Sequence, residues 1–166
     1  CNAFALQKMG VANSDRLEDI SQLLESAINN SQKIATKRQL GLMLCEYYRQ
    51  SGKKVQAYNI IDSLSRTLPN DIILKRKLLT FENVVEDAAR ADSLIRQIRI
   101  IEGQQGWQWR YEQAKLWFIL KDFNSRKEQI VSMLEDNLRA NPEDQESRLM
   151  LAMTYDRAGE LQLAVS

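Results

Sequence analysis

The sequence predicts an all-α fold of short helices that pair as antiparallel hairpins, and three observations indicate it. Apolar residues recur at steps of three and four, as at Leu17, Ile20 and Leu24. Only two prolines and six glycines occur in 166 residues, too few turn residues for an all-β domain of this size. A pattern of leucine, small, aromatic and glycine residues also recurs along the chain.

Turn residues divide the chain into about nine or ten helices of roughly 10 to 17 residues each. Glycine supplies the left-handed conformation that ends many helices, and a proline just past a helix end prevents its continuation. The residues that fill these roles are Gly52, Gly103, Gly106, Gly159, Pro69 and Pro142.

One helix–turn–helix pattern occurs in the first half of the chain and again at its end. The aligned pairs are Leu44 and Leu151, Cys45 and Ala152, Tyr48 and Tyr155, Gly52 and Gly159, and Ala57 and Ala164. A shift of 34 residues gives a weaker copy, in which Leu78 and Ala91 replace Leu44 and Ala57. Such a period is the signature of stacked helical hairpins.

In another hairpin, Ala114 and Trp117 take the small and aromatic roles, and Asn141-Pro142 closes it. The whole pattern resembles degenerate members of the tetratricopeptide repeat (TPR) family. The resemblance implies an α-solenoid of antiparallel helical hairpins that forms a right-handed superhelix. Small residues would let paired helices approach, and the aromatic residues would fill gaps between hairpins. Another α-solenoid with degenerate helical pairs is the alternative.

We expect a single solenoid domain over residues 1–166. The expected hairpins are at about 1–34, 38–71, 72–105, 107–142 and 145–166. The last one is incomplete, because its second helix would continue beyond Ala164. The chain also lacks an initiator methionine. We therefore expect a segment of a longer protein, with a C-terminal end that is frayed or covered by a neighbouring chain.

Composition and charge exclude several classes of function. The net charge of +1 gives no overall field toward nucleic acid or anionic lipid, and no apolar run approaches the length of a membrane span.

Cys45 falls among apolar residues, so we expect a buried small hydrophobe. The compartment is not assigned: a cytoplasmic location is preferred, and Cys1 as the lipid-bearing residue of a bacterial lipoprotein is the alternative.

No residue pattern indicates a reaction, a metal or a cofactor. The sequence contains no histidine, the commonest general base and metal ligand. Its two cysteines are far apart, and no glycine-rich phosphate loop is present. Adjacent carboxylates such as Glu135 and Asp136 do not face each other on a helix. We expect a chain that is not an enzyme and needs no cofactor.

The segment at 107–118 is rich in aromatic residues and includes Arg110 and Lys115. Such interleaving can stack single-stranded bases, but the same aromatic residues also suit the interfaces between hairpins. The interface interpretation is favoured, so we do not expect nucleic-acid binding.

In stacked hairpins the first helices line a concave groove that can hold an extended peptide or a helix. The predicted groove combines cations for carboxylates with aromatic anchors. Its residues are Gln39, Leu42, Glu46, Arg49, Arg76, Thr80, Asn83, Tyr111, Lys115 and Phe118.

Some TPR proteins hold the C-terminal carboxylate of chaperone tails with a fixed set of Lys, Asn and Arg. Leu42 and Glu46 stand where that set has Lys and Asn, so we do not expect this function. The sequence predicts a non-catalytic protein-interaction scaffold with a protein or peptide ligand. The alternative is a regulatory or substrate-presenting segment of a larger enzyme or of a membrane or secretion assembly. Self-association through exposed repeat ends stays open.

Overall fold

A computed structural model describes residues 14–120 and 123–160, with side chains from Asp19 onward. These residues form nine α-helices and no strand. The helices are α1 Ser14–Asn30, α2 Ile34–Gln50, α3 Lys54–Thr67, α4 Ile72–Leu78, α5 Glu82–Val85, α6 Ala88–Glu102, α7 Trp107–Ile119, α8 Phe123–Ala140 and α9 Gln145–Arg157. None of them is long and apolar enough to cross a membrane. The predicted all-α class is confirmed.

The chain divides after Leu74 into two compact units, and α4 lies across the division. In the first unit, α2 packs against both α1 and α3. In the second unit, consecutive helices from α5 to α9 pack against each other, and α9 also contacts α7. Packing between chain neighbours is typical of helical repeats. The single domain and the five hairpin boundaries stay predictions.

Two helix ends confirm the internal repeat. Gly52 and Gly159 both have a positive φ, of 72° and 77°, a conformation that costs glycine little because it has no Cβ. In both copies the N–H after the glycine donates to the carbonyl of the aligned tyrosine, at 2.8 Å for Tyr48 and 2.9 Å for Tyr155. The same bond satisfies a free helix-end carbonyl in each copy.

The hairpin of α2 and α3 is held by an apolar interior and one close approach. Cys45 and Ala57 are fully buried, as predicted for the small residues of a hairpin. The closest approach is at Gly41, where a Cβ atom would lie 2.0 Å from Leu64 Cδ1. Any larger residue at this position would therefore push Leu64 out of its place.

The hairpin predicted at 72–105 departs from the expected helix lengths of 10 to 17 residues. Helix α4 ends after 7 residues, and α5 has only 4. Between them the Thr80 hydroxyl donates to the Lys77 carbonyl at 2.8 Å, which competes with helical bonding. Phe81 and Val84 are buried just after this break. Helix α8, with 18 residues, also exceeds the range.

The second unit has a core to which three helices contribute. Its buried members are Ala114, Phe123, Ile130, Leu134 and Met150, against which Tyr111, Trp117, Phe118 and Leu151 pack. Ala114 is therefore buried and Trp117 packs against the core, as expected for the small and aromatic residues of this hairpin.

Some predictions concern residues outside the described ranges. These are lipid attachment at Cys1, the first helix of the hairpin at 1–34, and the second helix of the last hairpin with Ala164.

Candidate functional site

The first unit carries four of the predicted groove residues on one helix. Gln39, Leu42, Glu46 and Arg49 lie on α2 at steps of three and four residues, so they share a face. Leu42 is half-buried and the other three are exposed. Met43, also exposed, lies beside them. The structure thus places these residues together on one mixed polar and apolar surface.

The second unit brings two other predicted residues, Tyr111 and Lys115, together around Arg76, which is also a predicted groove residue. The Arg76 Nε donates to Glu112 Oε1 and its Nη2 to Glu146 Oε2, both at 2.7 Å. Its guanidinium carbon lies 5.3 Å from the Trp107 ring centre and 5.4 Å from that of Tyr111. Contacts of this kind add cation–π attraction to the ion pairs. We call this set the Arg76 cluster: Arg76, Trp107, Tyr111, Glu112, Lys115 and Glu146.

The Arg76 cluster joins three helices, because Arg76 lies on α4, Glu112 on α7 and Glu146 on α9. Lys115 Nζ approaches Glu112 Oε2 at 3.5 Å. The Glu112 side chain is almost completely buried, so two cations share one desolvated carboxylate. Removing either cation would leave that buried charge poorly compensated.

The cluster also changes the acidity of its members. Burial lowers the pKa of the Arg76 guanidinium, but hydrogen bonds and charge from Glu112 and Glu146 outweigh it and raise this pKa. Burial raises the pKa of Tyr111, and the charges of Glu146 and Glu112 add to that rise. Arg76 therefore stays charged and Tyr111 stays neutral near neutral pH.

Three predicted groove residues lie apart from the cluster. Thr80 belongs to the turn after α4 and Asn83 to α5, because the predicted continuous helix ends at Leu78. Phe118 packs edge-to-face on Phe123, with ring centres 5.6 Å apart. Its ring therefore packs against the core of the second unit. The role of Phe118 as an apolar anchor of the groove stays a prediction.

The tryptophans of α7 are stacked against arginines of the same chain. Arg99 lies 4.5 Å from the Trp109 ring centre, and Arg126 lies 4.9 Å from that of Trp117. Together with Arg76 over Trp107, these contacts occupy one face of each indole. The aromatic segment thus serves intramolecular packing.

Sequence reasoning missed Asn137, the buried polar centre of the second unit. Its side chain is fully buried. It accepts from Arg110 Nε at 2.8 Å and donates to the Trp107 carbonyl and to Ser147 Oγ, both at 3.0 Å. One amide therefore links the starts of α7 and α9, which carry the aromatic and acidic members of the Arg76 cluster. Its position, three residues after the core residue Leu134, was the available signal.

Another concavity shares no residue with the Arg76 cluster. It is an open groove of about 550 Å³ lined by Gln104, Gln105, Trp109, Arg110, Glu128, Gln129, Ser132, Met133 and Asp136. Nearby, the buried Trp109 Nε1 has no hydrogen-bond partner. Across the described residues, no group of three acidic or cysteine side chains could hold a metal ion.

Comparison with known proteins supports the fold. No protein-family model and no curated protein matches the chain. The structure is similar to the solved structure of MamA MSR-1 C2, with a TM-score of 0.52, over 92% of this chain and 83% of that one, at 16% identity. MamA is a TPR-containing protein. The likeness shows the fold alone, and this chain has a TPR-like helical-repeat fold of the α-solenoid class.

Proposed function

We propose that the chain is a non-catalytic protein-interaction scaffold that binds a peptide or helix of a partner protein. The observation that carries this proposal is a row of exposed apolar residues beside the Arg76 cluster. Leu149 and Met153 follow Glu146 on α9 at steps of three and four residues, so all three share a face. Leu149 is 64% exposed and Met153 is 43% exposed. We call Glu146, Leu149 and Met153 the α9 face.

The α9 face and the Arg76 cluster together offer two kinds of contact. Apolar side chains that leave water on binding are the usual anchors of a protein interface. Beside them, a guanidinium gives directional bonds to carboxylates. The groove expected along the first helices of the hairpins in the second unit would take an amphipathic segment of a partner. The exposed surface of α2 is a separate candidate in the first unit.

We also propose that the chain is a degenerate member of the TPR family. Tyr48 and Tyr155 occupy the same repeat position, and each hydroxyl donates to a glutamate of the preceding helix. The glycine turns that follow them share one hydrogen-bond pattern. The fold similarity to MamA supports the same assignment.

The scaffold proposal is tested by quantitative affinity capture from the source cells. We expect the double variant Leu149→Asp/Met153→Asp to lose captured partners by about tenfold or more, because charges at apolar anchors oppose desolvation. Ile100→Asp is the control for a charge added elsewhere, because Ile100 is 81% exposed on α6 and lies outside the α9 face.

Two outcomes would contradict the proposal. One is equal capture by the wild type and the double variant. The other is equal loss with Ile100→Asp, which would show that added charge alone prevents capture. Circular dichroism should show the same helix content for all variants, because the substituted residues are exposed.

A further inference from the structure

The two carboxylates bound to Arg76 differ in their exposure. Both lie 2.7 Å from the guanidinium, but the Glu112 side chain is 3% exposed and that of Glu146 is 53% exposed. Glu112 also has Lys115 as a second cation, at 3.5 Å. Arg76 therefore has one fixed, buried partner and one partner on the solvent side.

Glu146 can leave Arg76 at little cost to the fold. An ion pair with an exposed carboxylate contributes little to stability, since water solvates the released charge. The N-terminus of α9 does not depend on Glu146, because the Asp144 carboxylate accepts from the Ser147 N–H at 3.1 Å and caps the helix. Removal of Glu112, in contrast, would leave the half-buried Arg76 without its buried counter-charge.

Without Glu146, Arg76 would keep Glu112 at Nε and present its oriented Nη2 edge to a new acceptor. Arg76 and Lys115 carry two positive charges against the one negative charge of Glu112. The nearby Asp144 carboxylate is held by the positive end of α9. The rings of Trp107 and Tyr111 lie against the guanidinium and restrict its orientation. A new carboxylate would therefore find a site already arranged for it.

We propose that Glu146 occupies a carboxylate subsite on Arg76 and that an aspartate or glutamate side chain of the partner displaces it. The inference rests on the proposed scaffold function and specifies the chemistry of its ligand. Leu149 and Met153 extend the subsite along α9, one and two turns beyond Glu146. The fitting partner is an acidic amphipathic helix with apolar residues one and two turns from its acidic residue. Glu146 is then an internal competitor that lowers the affinity for this partner.

The subsite is tested with a small probe, N-acetylglutamate N-methylamide, followed by NMR of the Trp107 indole N–H and the Arg76 Nε–H. In Glu146→Gln we expect the probe to bind at least about fivefold more tightly than in the wild type, because the competitor is gone. Glu143→Gln removes an equal charge from an exposed residue and should leave binding unchanged. N-acetylglutamine N-methylamide should not shift the signals.

Arg76 is tested in the double variant Arg76→Gln/Glu146→Gln, which should lose the probe response at the Trp107 indole. Circular dichroism and the unfolding midpoint of Glu146→Gln should match those of the wild type. Equal probe affinity in Glu146→Gln and Glu143→Gln would overturn the subsite. The same conclusion follows if the response survives without Arg76.

Affinity capture separates this inference from the scaffold proposal. We expect Glu146→Gln to capture several times more partner than Glu143→Gln does. If the probe binds as expected but capture is unchanged, the partner does not use the subsite and the inference fails. Loss of capture with Leu149→Asp/Met153→Asp would still support the scaffold in that case.

Discussion

The hairpin of α2 and α3 and the assembly of α7, α8 and α9 are held together by different kinds of contact. In the first, apolar side chains interdigitate and Gly41 lets Leu64 approach. In the second, an apolar cluster packs beside a fully buried amide, Asn137, that joins three helices. Both assemblies carry the same repeat pattern, so that pattern constrains the apolar contacts and leaves the polar ones free to differ.

Loss of the Asn137 hydrogen bonds should destabilise the fold more than a change at the apolar contact of Gly41 and Leu64. Replacing Asn137 by alanine removes one acceptor and two donors from a site without water access. It would remove the Asn137 partner of the Arg110 Nε–H, the Trp107 carbonyl and the Ser147 hydroxyl. We expect the free energy of unfolding to fall by about 3 kcal/mol, because each stranded buried group costs roughly 1–3 kcal/mol. Urea denaturation followed by circular dichroism measures it.

Asn124→Ala is the control for this prediction, since Asn124 is exposed on the same helix. Its effect should stay within about 0.5 kcal/mol. If Asn137→Ala costs no more than this control, the buried amide does not hold the second unit together. The comparison with the apolar hairpin would then fail.

The close approach of α2 and α3 at Gly41 and Leu64 is tested by Gly41→Ala. The new Cβ would lie 2.0 Å from Leu64 Cδ1, so Leu64 must move, and overpacking of this kind costs about 1–3 kcal/mol. Alanine also favours a helix over glycine by about 1 kcal/mol. We therefore expect a net loss of up to about 2 kcal/mol in the free energy of unfolding.

A double-mutant cycle separates the two contributions. In a Leu64→Ala background the clash is absent, so Gly41→Ala should become neutral or stabilising. Leu64→Ala alone should be destabilising by about 2–5 kcal/mol, as for other buried leucines. Additive effects of the two substitutions would show that Gly41 and Leu64 do not interact.

The same division explains how much of the molecule the sequence predicts. Periodicity and the glycine turns predict the helical fold, the burial of Cys45, and the helix ends at Gly52 and Gly159. They do not predict the break after Leu78, because a threonine hydroxyl bound to a backbone carbonyl has no signature in apolar spacing. That break separates Thr80 from the helix to which the repeat assigns it.

The candidate site is predictable to a similar extent. Arg76, Tyr111 and Lys115 are predicted as groove neighbours, and the structure brings them together. The repeat does not reveal Glu112 and Glu146, because it specifies which positions face a neighbour without specifying charge pairs across helices. The Phe118 ring packs against the apolar cluster of the second unit, and its role as a groove anchor stays a prediction.

The smallest expected effect compares two residues at one repeat position. The Tyr48 hydroxyl donates to Glu25 at 2.8 Å, whereas Tyr155 lies 3.5 Å from Glu135, at the limit of a hydrogen bond. Tyr48 is buried and Tyr155 is half-buried. We expect Tyr48→Phe to lower the free energy of unfolding by about 1 kcal/mol and Tyr155→Phe by less than about 0.5 kcal/mol.

The dependence of stability on alkaline pH gives a second test of the Tyr48 contact. Burial raises the pKa of Tyr48, and the hydrogen bond and charge of Glu25 raise it further. The folded state thus keeps the phenol proton at a pH where the unfolded chain releases it. This contribution is complete below the unfolded pKa of about 10 and is lost as the pH rises above it. Urea midpoints between pH 8 and 11 should fall less steeply in Tyr48→Phe than in the wild type. Equal slopes would mean that folding does not raise the pKa of Tyr48.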